Sequence, residues 1–373
     1  MRYYIIAGEA SGDLHGANLM KALKVKDPSA SFRFWGGDLM RAEGGTLVRH
    51  IDSTSFMGFW EVLKNAPAII SAIRMCRKDI EAYRPDALVL IDYPGFNLRM
   101  AKYASSLGIR VFYYISPKVW AWHSSRVRSI RQYVDHMLTI LPFEKDFYRQ
   151  YGYKVDYVGN PVADAIETMP RRGEIGGQFR KRTGLPGNPI IALLPGSRVQ
   201  EIDNCLPAML SAAGRFDQHQ VVIAGAPSVS LSVYEKYTGG KVPVLFNETY
   251  TLLQNSDGAV VVSGTATLEA AMLGVPMVVC YRGSFLSYQV ARKFVRVKFI
   301  SLVNLIMGRE VVKELIQDAM SPDNLADEIN RLLFDHDYRY KMVEEMNKLK
   351  QAVGGPGASE RAAGKIAGYM GLE

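Results

Sequence analysis

Cysteine is scarce in this chain. Three residues, Cys76, Cys205 and Cys280, among 373 exclude a disulfide framework, and no CxxC pair or Cys/His spacing marks a structural zinc site. A chain this long buries a large core without covalent staples, so the thiols point to a reducing, cytoplasmic compartment. Long apolar runs are missing too. Nowhere are there ~18 consecutive apolar residues, so no transmembrane helix is expected. The opening apolar run stops at Glu9, too soon for the core of a signal peptide. GxGxxG and GxxxxGK[ST] do not occur, which speaks against a dinucleotide or P-loop site. There is no helix-turn-helix, zinc-finger or RRM signature, and the basic residues are not gathered into one arm. Nucleic acid is therefore not an expected partner.

What is present is a globular composition with an excess of base. Hydrophobic residues make up 48% and charged residues 22%, as in soluble domains. The formal charge of +8 suggests an anionic partner, such as a phosphorylated substrate or an acidic membrane surface. At roughly 150 residues per domain the length predicts two domains.

Apolar runs at 2–7, 31–35, 87–92, 110–115, 136–141 and 155–158 do not alternate, as in strands covered on both faces of a parallel sheet. Helical patterns fall between them, the first over 12–25, as βαβ crossovers require. Then Asn160-Pro161, Pro170, Gly176-Gly177, Pro186-Gly187 and Pro189 punctuate a charged stretch, which reads as linker. The theme resumes at 190–194, 221–224, 242–246, 259–262 and 277–280, and helical patterns over 322–334, 338–352 and 359–370 follow. The expected organisation is an N-terminal domain over 1–165, a linker over 166–188 and a C-terminal domain over 189–352. The segment 353–373 is expected to be a helix that crosses back or exchanges between chains. The fold class is α/β, with two Rossmann-like parallel-sheet domains facing a central cleft. Ligands of such sheets bind beyond the carboxyl ends of the strands, so the strand-to-helix turns hold the candidates.

The first turn carries Gly8, Glu9, Ser11, Gly12 and Asp13. It either lets a substrate approach the backbone and a helix start, or is a tight turn capped by Ser11 or Asp13. Asp92, at the end of a central strand, is placed as a general base for an attacking hydroxyl or as the cap of a helix beginning near Leu98. Lys118, Trp120, Trp122 and His123 read as a sugar or lipid pocket, or as a packed aromatic loop. In the second half, Gly196-Ser197-Arg198 follows a strand directly, and small residues with one arginine at a helix start suit a phosphate. A surface pair of Arg198 with Glu201 is the other reading. Ser263-Gly264-Thr265-Ala266-Thr267 offers amides and hydroxyls to a diphosphate, and Glu269 an acceptor for a ribose diol. The same residues also read as a Ser-capped helix with a buried Glu. Two basic, apolar stretches, 56–77 and 282–309, suit an anionic membrane or ordinary core helices.

Together these segments resemble the lipid-A-disaccharide synthase family, glycosyltransferase family 19. The resemblance rests on Ala7-Gly8-Glu9-Ala10-Ser11-Gly12-Asp13, Phe34-Trp35-Gly36-Gly37, Met57-Gly58 with Glu61, Asp92-x-Pro94-x-Phe96-Asn97, Ser116-Pro117-x-Val119-Trp120-Ala121-Trp122 and Leu141-Pro142-Phe143-Glu144. It continues through Leu194-Pro195-Gly196-Ser197-Arg198, the Ser263–Glu269 turn, and Asn304-Leu305-Ile306 with Glu310. It implies a GT-B fold and inverting transfer of 2,3-diacylglucosamine from its UDP derivative to the 6-hydroxyl of 2,3-diacylglucosamine 1-phosphate. The product is the β-1,6 disaccharide of lipid A, with loss of UDP. It also implies no metal or other cofactor, work at the cytoplasmic face of the inner membrane as a peripheral protein, and a possible homodimer. Asp92 would be the base, and Arg198 would stabilise departing UDP. Gly196, Ser197, Ser263, Gly264, Thr265, Ala266, Thr267, Glu269, Asn304 and Glu310 would hold the donor. Glu9, Ser11, Gly12, Asn97, Trp120 and His123 would lie on the acceptor side. Three departures stand out. Gly36-Gly37-Asp38-Leu39-Met40 replaces the usual Gly-Gly-Pro-Arg-Met, Asn160 stands in Gly-His-Pro, and Gly95 replaces a second acid. The rival readings are a UDP-N-acetylglucosamine 2-epimerase and a silent nucleotide-sugar or lipid binder.

Overall fold

The computed structural model describes residues 1–51, 66–122, 125–283 and 297–372. The chain divides into two compact units, Met1–Pro161 with Pro356–Glu373, and Val162–Gly355.

The first unit is built on a seven-stranded sheet ordered β3-β2-β1-β4-β5-β6-β7. Its strands are β1 Arg2–Ala7, β2 Ser31–Gly36, β3 Thr46–His50, β4 Ala87–Ile91, β5 Arg110–Tyr114, β6 His136–Thr139 and β7 Asp156–Tyr157. Every described pairing in it is parallel. Side chains alternate between the two faces of a strand, and both faces are covered. Tyr3, Ile5, Val89 and Phe112 join Leu19, Leu23 and Ile366 in one core. Tyr4, Ile6, Leu88 and Tyr113 join Cys76, Ile80 and Met100 in the other. The helices responsible are Ala10–Lys26 and Ala358–Tyr369 on the first face, and Ala66–Tyr83 and Pro94–Ser106 on the second.

Helix Ala358–Tyr369 packs on helix Ala10–Lys26 and is fastened by polar contacts at the sheet edge. The Tyr369 ring stacks on His136 with centroids 3.6 Å apart, its hydroxyl donates to Asp156 Oδ2 at 2.7 Å, and Lys365 pairs with Asp156 at 2.9 Å. Ile366 is fully buried there, which is worth about 1.5–3 kcal/mol relative to exposure.

The second unit repeats the topology. Its six strands are β8 Ile190–Leu194, β9 Gln220–Gly225, β10 Val244–Phe246, β11 Gly258–Val262, β12 Met277–Tyr281 and β13 Lys313–Ile316. They lie in the order β10-β9-β8-β11-β12-β13. The stretch expected to be a linker, 166–188, instead belongs to this unit. Helix Gly177–Thr183 sits within it, and Phe179 is fully buried in the second core. Two edge strands, β3 and β13, were not expected from the sequence. The helix after β4 starts at Pro94 rather than near Leu98. No helix among the described residues is long and apolar enough to cross a membrane. Of the two basic, apolar stretches, 56–65 and 284–296 lie outside the described residues. Helix Ala66–Tyr83 exposes Ile70 and Met75.

Candidate functional site

Each sheet has one point where the strand order reverses direction, between β1 and β4 in the first unit and between β8 and β11 in the second. Crevices outside the carboxyl ends of strands at such points receive ligands in open α/β sheets. The turns after β1, β4, β8 and β11 hold most of the residues singled out in the sequence.

In the first unit, Asp92 continues the ladder, its amide donating to Tyr114 O at 3.2 Å. The backbone then turns left-handed at two successive non-glycine residues, Asp92 (φ 43°) and Tyr93 (φ 48°). Each such residue costs roughly 1–2 kcal/mol, so surrounding contacts must hold the turn. The Asp92 carbonyl accepts from Tyr113 Oη at 2.5 Å and from Asn97 Nδ2 at 2.7 Å. The Tyr93 ring lies where a side chain on Gly8 would be, since a Cβ there would come within 2.4 Å of Tyr93 Cγ. The ring also stacks on Phe96 at 5.7 Å. Pro94, with its fixed φ, then starts the helix. A strained strand-to-helix turn that holds one side chain out for chemistry is a known device of α/β enzymes.

The Asp92 carboxyl is pushed up to about 6, first by burial and then by the charge of Glu9, while Lys118 and the Tyr93 amide pull the other way. A carboxyl so placed is ionised near neutral pH and basic enough to take a proton. The capping alternative fails, because the residue before this helix is Tyr93 and no side chain caps it.

Other first-unit candidates divide. Glu9 is half-buried at the start of helix Ala10–Lys26 and caps nothing with its side chain. Ser11 is exposed in the first turn. Gly12 is buried, and a Cβ there would stand 3.2 Å from Ala7 Cβ, so it serves close packing of helix on strand. Asn97 is turned into the fold. It is fully buried, with its amide on Asp92 O and on Ile91 O at 3.2 Å. Trp120 is half-buried and packs edge-on against Phe143 at 5.0 Å, and its Nε1 donates to Glu144 Oε1 at 3.2 Å. Glu144 is buried and pushed up to about 7, chiefly by burial. Its other oxygen accepts the Ile140 and Leu141 amides at 3.2 and 2.9 Å. His123 lies outside the described residues.

Asp13, read as a possible cap of its own helix, is buried and holds the neighbouring turn instead. It accepts the amides of Gly37, Leu39 and Met40 at 2.7, 3.0 and 3.1 Å. A Cβ on Gly37 would collide with Asp13 Oδ2 at 2.5 Å. The variant loop Gly36–Met40 thus keeps its glycines for a backbone contact.

In the second unit, Gly196 adopts φ +108°, and a Cβ there would meet Glu201 Oε2 at 2.5 Å. The same oxygen accepts the Ser197 amide at 3.0 Å. Arg198 reaches Glu201 Oε1 at 3.7 Å and is 57% exposed, so the surface pair expected as an alternative is present. Such pairs are worth about 0–1 kcal/mol, and the guanidinium is readily exchanged onto an incoming anion. After β11, Gly264 is extended and helix Thr265–Leu273 begins without a side-chain cap. Thr267 N donates to Gly264 O at 3.2 Å, and the amides of Thr265 and Ala266 are left for water or an anion. Thr265 is exposed and Ala266 half-buried. Ser263 Oγ donates to Ile300 O at 2.9 Å and keeps its lone pairs.

Two donor-side expectations, Thr267 and Asn304, are corrected. Thr267 is fully buried with its hydroxyl on Gly264 O at 2.8 Å, so it shapes the turn from beneath. Asn304 is also fully buried. Its Nδ2 donates to Val312 O and Glu314 Oε1, both at 2.8 Å, and its Oδ1 accepts the Val311 and Val312 amides at 2.7 and 3.0 Å. All its hydrogen-bonding capacity is used inside the fold. Glu310 is exposed and faces Lys313 at 3.5 Å. Glu269 fits its assigned place better: it is half-buried, burial raises its pKa, and it accepts from Tyr250 Oη at 3.2 Å.

Tyr113 and Tyr250 were not singled out, and no spacing in the sequence marks them. The triplet Asp335-His336-Asp337 has the letters of a metal–diphosphate motif but begins a helix, Asp335 capping it through Tyr338 N at 3.0 Å. Among the described residues, no group of three or more His, Cys, Asp or Glu side chains could hold a metal ion.

Comparison with known proteins adds to this geometry. A sequence model of the family described as lipid-A-disaccharide synthetase matches residues 3–364. Lipid-A-disaccharide synthase of Trichlorobacter lovleyi is 40% identical over 98% of this chain and 96% of its own. The Coxiella burnetii enzyme of that name is 36% identical over 96% of each. Among solved structures, UDP-GlcNAc 2-epimerase from Neisseria meningitidis bound to UDP-GlcNAc superposes with a TM-score of 0.70 at 14% identity, over 99% of this chain and 100% of its own. The glycotransferase of kitacinnamycin superposes with 0.65 at 16%, over 98% of each chain. At such identities these two likenesses show the fold, which is of the GT-B type.

Proposed function

The chain belongs to the lipid-A-disaccharide synthase family, and from that membership we propose how its two switch points divide the work of a glycosyl transfer. It is a UDP-sugar-dependent glycosyltransferase of lipid A biosynthesis, and the observation that carries this is the family match over residues 3–364. The epimerase resemblance extends to the fold alone.

The donor is UDP-2,3-diacylglucosamine and the acceptor 2,3-diacylglucosamine 1-phosphate. Asp92 takes the proton of the acceptor 6-hydroxyl as that oxygen attacks the anomeric carbon. The bond from that carbon to the diphosphate oxygen breaks, the electron pair leaves with UDP, and the configuration inverts. Charge developing on UDP is met by Arg198 and the open amides of helix Thr265–Leu273, groups aimed where charge appears. Gly196, Ser197, Ser263, Gly264 and Thr265 lie along the diphosphate, and Glu269 takes the ribose hydroxyls. Glu9, Ser11 and Trp120 border the acceptor. The chemistry of a phosphorylated, acylated acceptor agrees with Lys118 beside Asp92 and with a net charge of +8. Peripheral binding to the anionic cytoplasmic face of the inner membrane belongs to the same reading. It is supported by Ile70 and Met75 exposed beside Arg74 and Arg77 on helix Ala66–Tyr83.

The test is UDP release from UDP-2,3-diacylglucosamine with and without the acceptor. Acceptor-dependent release that disappears in Asp92→Asn is the expected result. Release that Asp92→Asn leaves intact discards Asp92 as the base, and no release from wild type discards this donor.

A further inference from the structure

The left-handed turn after β4 has a support that nothing in the family match assigns. Its two hydrogen bonds converge on one atom, the Asp92 carbonyl oxygen, from Tyr113 Oη at 2.5 Å and Asn97 Nδ2 at 2.7 Å. Both donors come from rigid elements: Tyr113 from β5, registered opposite Leu90, and Asn97 from the first turn of helix Pro94–Ser106. Both side chains are fully buried. The Asn97 amide also reaches Ile91 O at 3.2 Å and Ile6 O at 3.5 Å, so it gathers the ends of β1 and β4 onto one group. Backbone held so firmly at a strained position fixes the direction in which the Cα–Cβ bond of Asp92 leaves the chain.

We propose that Tyr113 and Asn97 are positioning residues for the glycosyl transfer, and that by clamping the Asp92 carbonyl they aim its carboxylate at the acceptor hydroxyl. The proposal rests on the reading of Asp92 as the base. Neither side chain touches substrate. Their effect passes through the backbone of one residue, so loss of the clamp changes the rate of the chemical step and leaves both substrates bound as before.

The test compares Tyr113→Phe with Tyr4→Phe. Tyr4 is an equally buried tyrosine on β1 whose hydroxyl donates to Asp79 at 2.7 Å, away from the turn. Tyr113→Phe is expected to lower kcat about 10- to 100-fold, the cost of misplacing a reacting group by an ångström or less. Both KM values should stay within about twofold, since uniform binding is untouched. The acid limb of its pH profile should move to lower pH as water reaches the relaxed carboxylate. Tyr4→Phe is expected to lose thermal stability and keep its kcat. In an Asp92→Ala background, adding Tyr113→Phe should change the residual rate no further, because the two act as one unit.

Wild-type kcat in Tyr113→Phe, with Asp92→Asn inactive, overturns the clamp and leaves the base. Activity in Asp92→Asn overturns the base and the clamp with it. If Tyr113→Phe does not fold, Asn97→Ser is run through the same measurements. A fall in stability there with kcat and pH profile unchanged counts equally against the proposal.

Discussion

The two units place their candidate ligand turns at the same topological point and equip them in opposite ways. After β4, the chain is strained, Asp92 is half-buried with its carboxyl pushed up to about 6, and its neighbours are aromatic. After β8 and β11, the turns are made of small residues and Arg198 stands 57% exposed. On the proposed reading, one sheet order supports two electrostatic tasks, and solvation separates them. A group that must exchange a proton near neutral pH needs a poorly solvated setting to move its pKa. A group that must meet and release a diphosphate needs to stay in water, where changing partners is cheap.

The most severe way to break this contrast is to remove the proton acceptor. Asp92→Asn is expected to lower kcat about 10²- to 10⁴-fold, the usual share of a general base. UDP affinity, measured by calorimetry, should be unchanged. Next comes Arg198→Ala, for which kcat should fall about 100-fold, as when one transition-state donor is lost. UDP should bind more weakly, and rising salt should weaken UDP binding in wild type more than in the variant.

A pH series sharpens the same contrast without mutation. As the proposed base, Asp92 must be ionised, so the rate should fall as pH drops through about 6, close to tenfold per unit below it. Stability moves the other way. Asp92 and Glu144 both have folded values above their ordinary ones, about 6 and about 7, so the folded chain binds protons that the unfolded chain releases. Their contribution to stability grows as pH falls from about 7 towards 4 and is lost as pH rises through the folded values. Thermal midpoints of wild type and Asp92→Asn should therefore diverge above pH 6 and converge near pH 4. The smallest expected effect is that of Tyr250→Phe. Loss of one hydrogen bond to Glu269, about 1 kcal/mol, should raise the donor KM about fivefold and leave the acceptor KM alone.

Much of the molecule was legible in the sequence, for identifiable reasons. Central strands such as β4, β8 and β11 are buried along their whole length, and a run of apolar β-branched residues has few other uses. The edge strands were not legible. β3, Thr-Leu-Val-Arg-His, and β13, Lys-Glu-Leu-Ile, are short and carry charge, as exposed edges do. The stretch 166–188 reads as linker because proline and glycine mark turns wherever they occur, while the burial of Phe179 depends on distant partners. Motif residues were found without their roles. Asn97, Thr267 and Asn304 stand inside candidate ligand turns by sequence, yet the Asn97 amide nitrogen, the Thr267 hydroxyl and the whole Asn304 amide bond within the fold. A pattern records that a loop needs a residue, and only the burial of its side chain separates touching the ligand from shaping what touches it. Tyr113 and Tyr250 lie on elements remote in sequence from the groups they hold, which local spacing does not encode.

Helix Ala358–Tyr369 has a consequence for how the protein is made. The unit that opens the chain is closed by nearly its last residues, and all of Val162–Gly355 is translated in between. At about 5–20 residues per second, the ribosome imposes a wait on the order of ten to forty seconds. Through that interval the apolar seat for Ala362, Ala363 and Ile366 is uncovered on a nascent chain whose central strands are already available to pair. A chain ending before Ala362 would leave the opening unit unfinished.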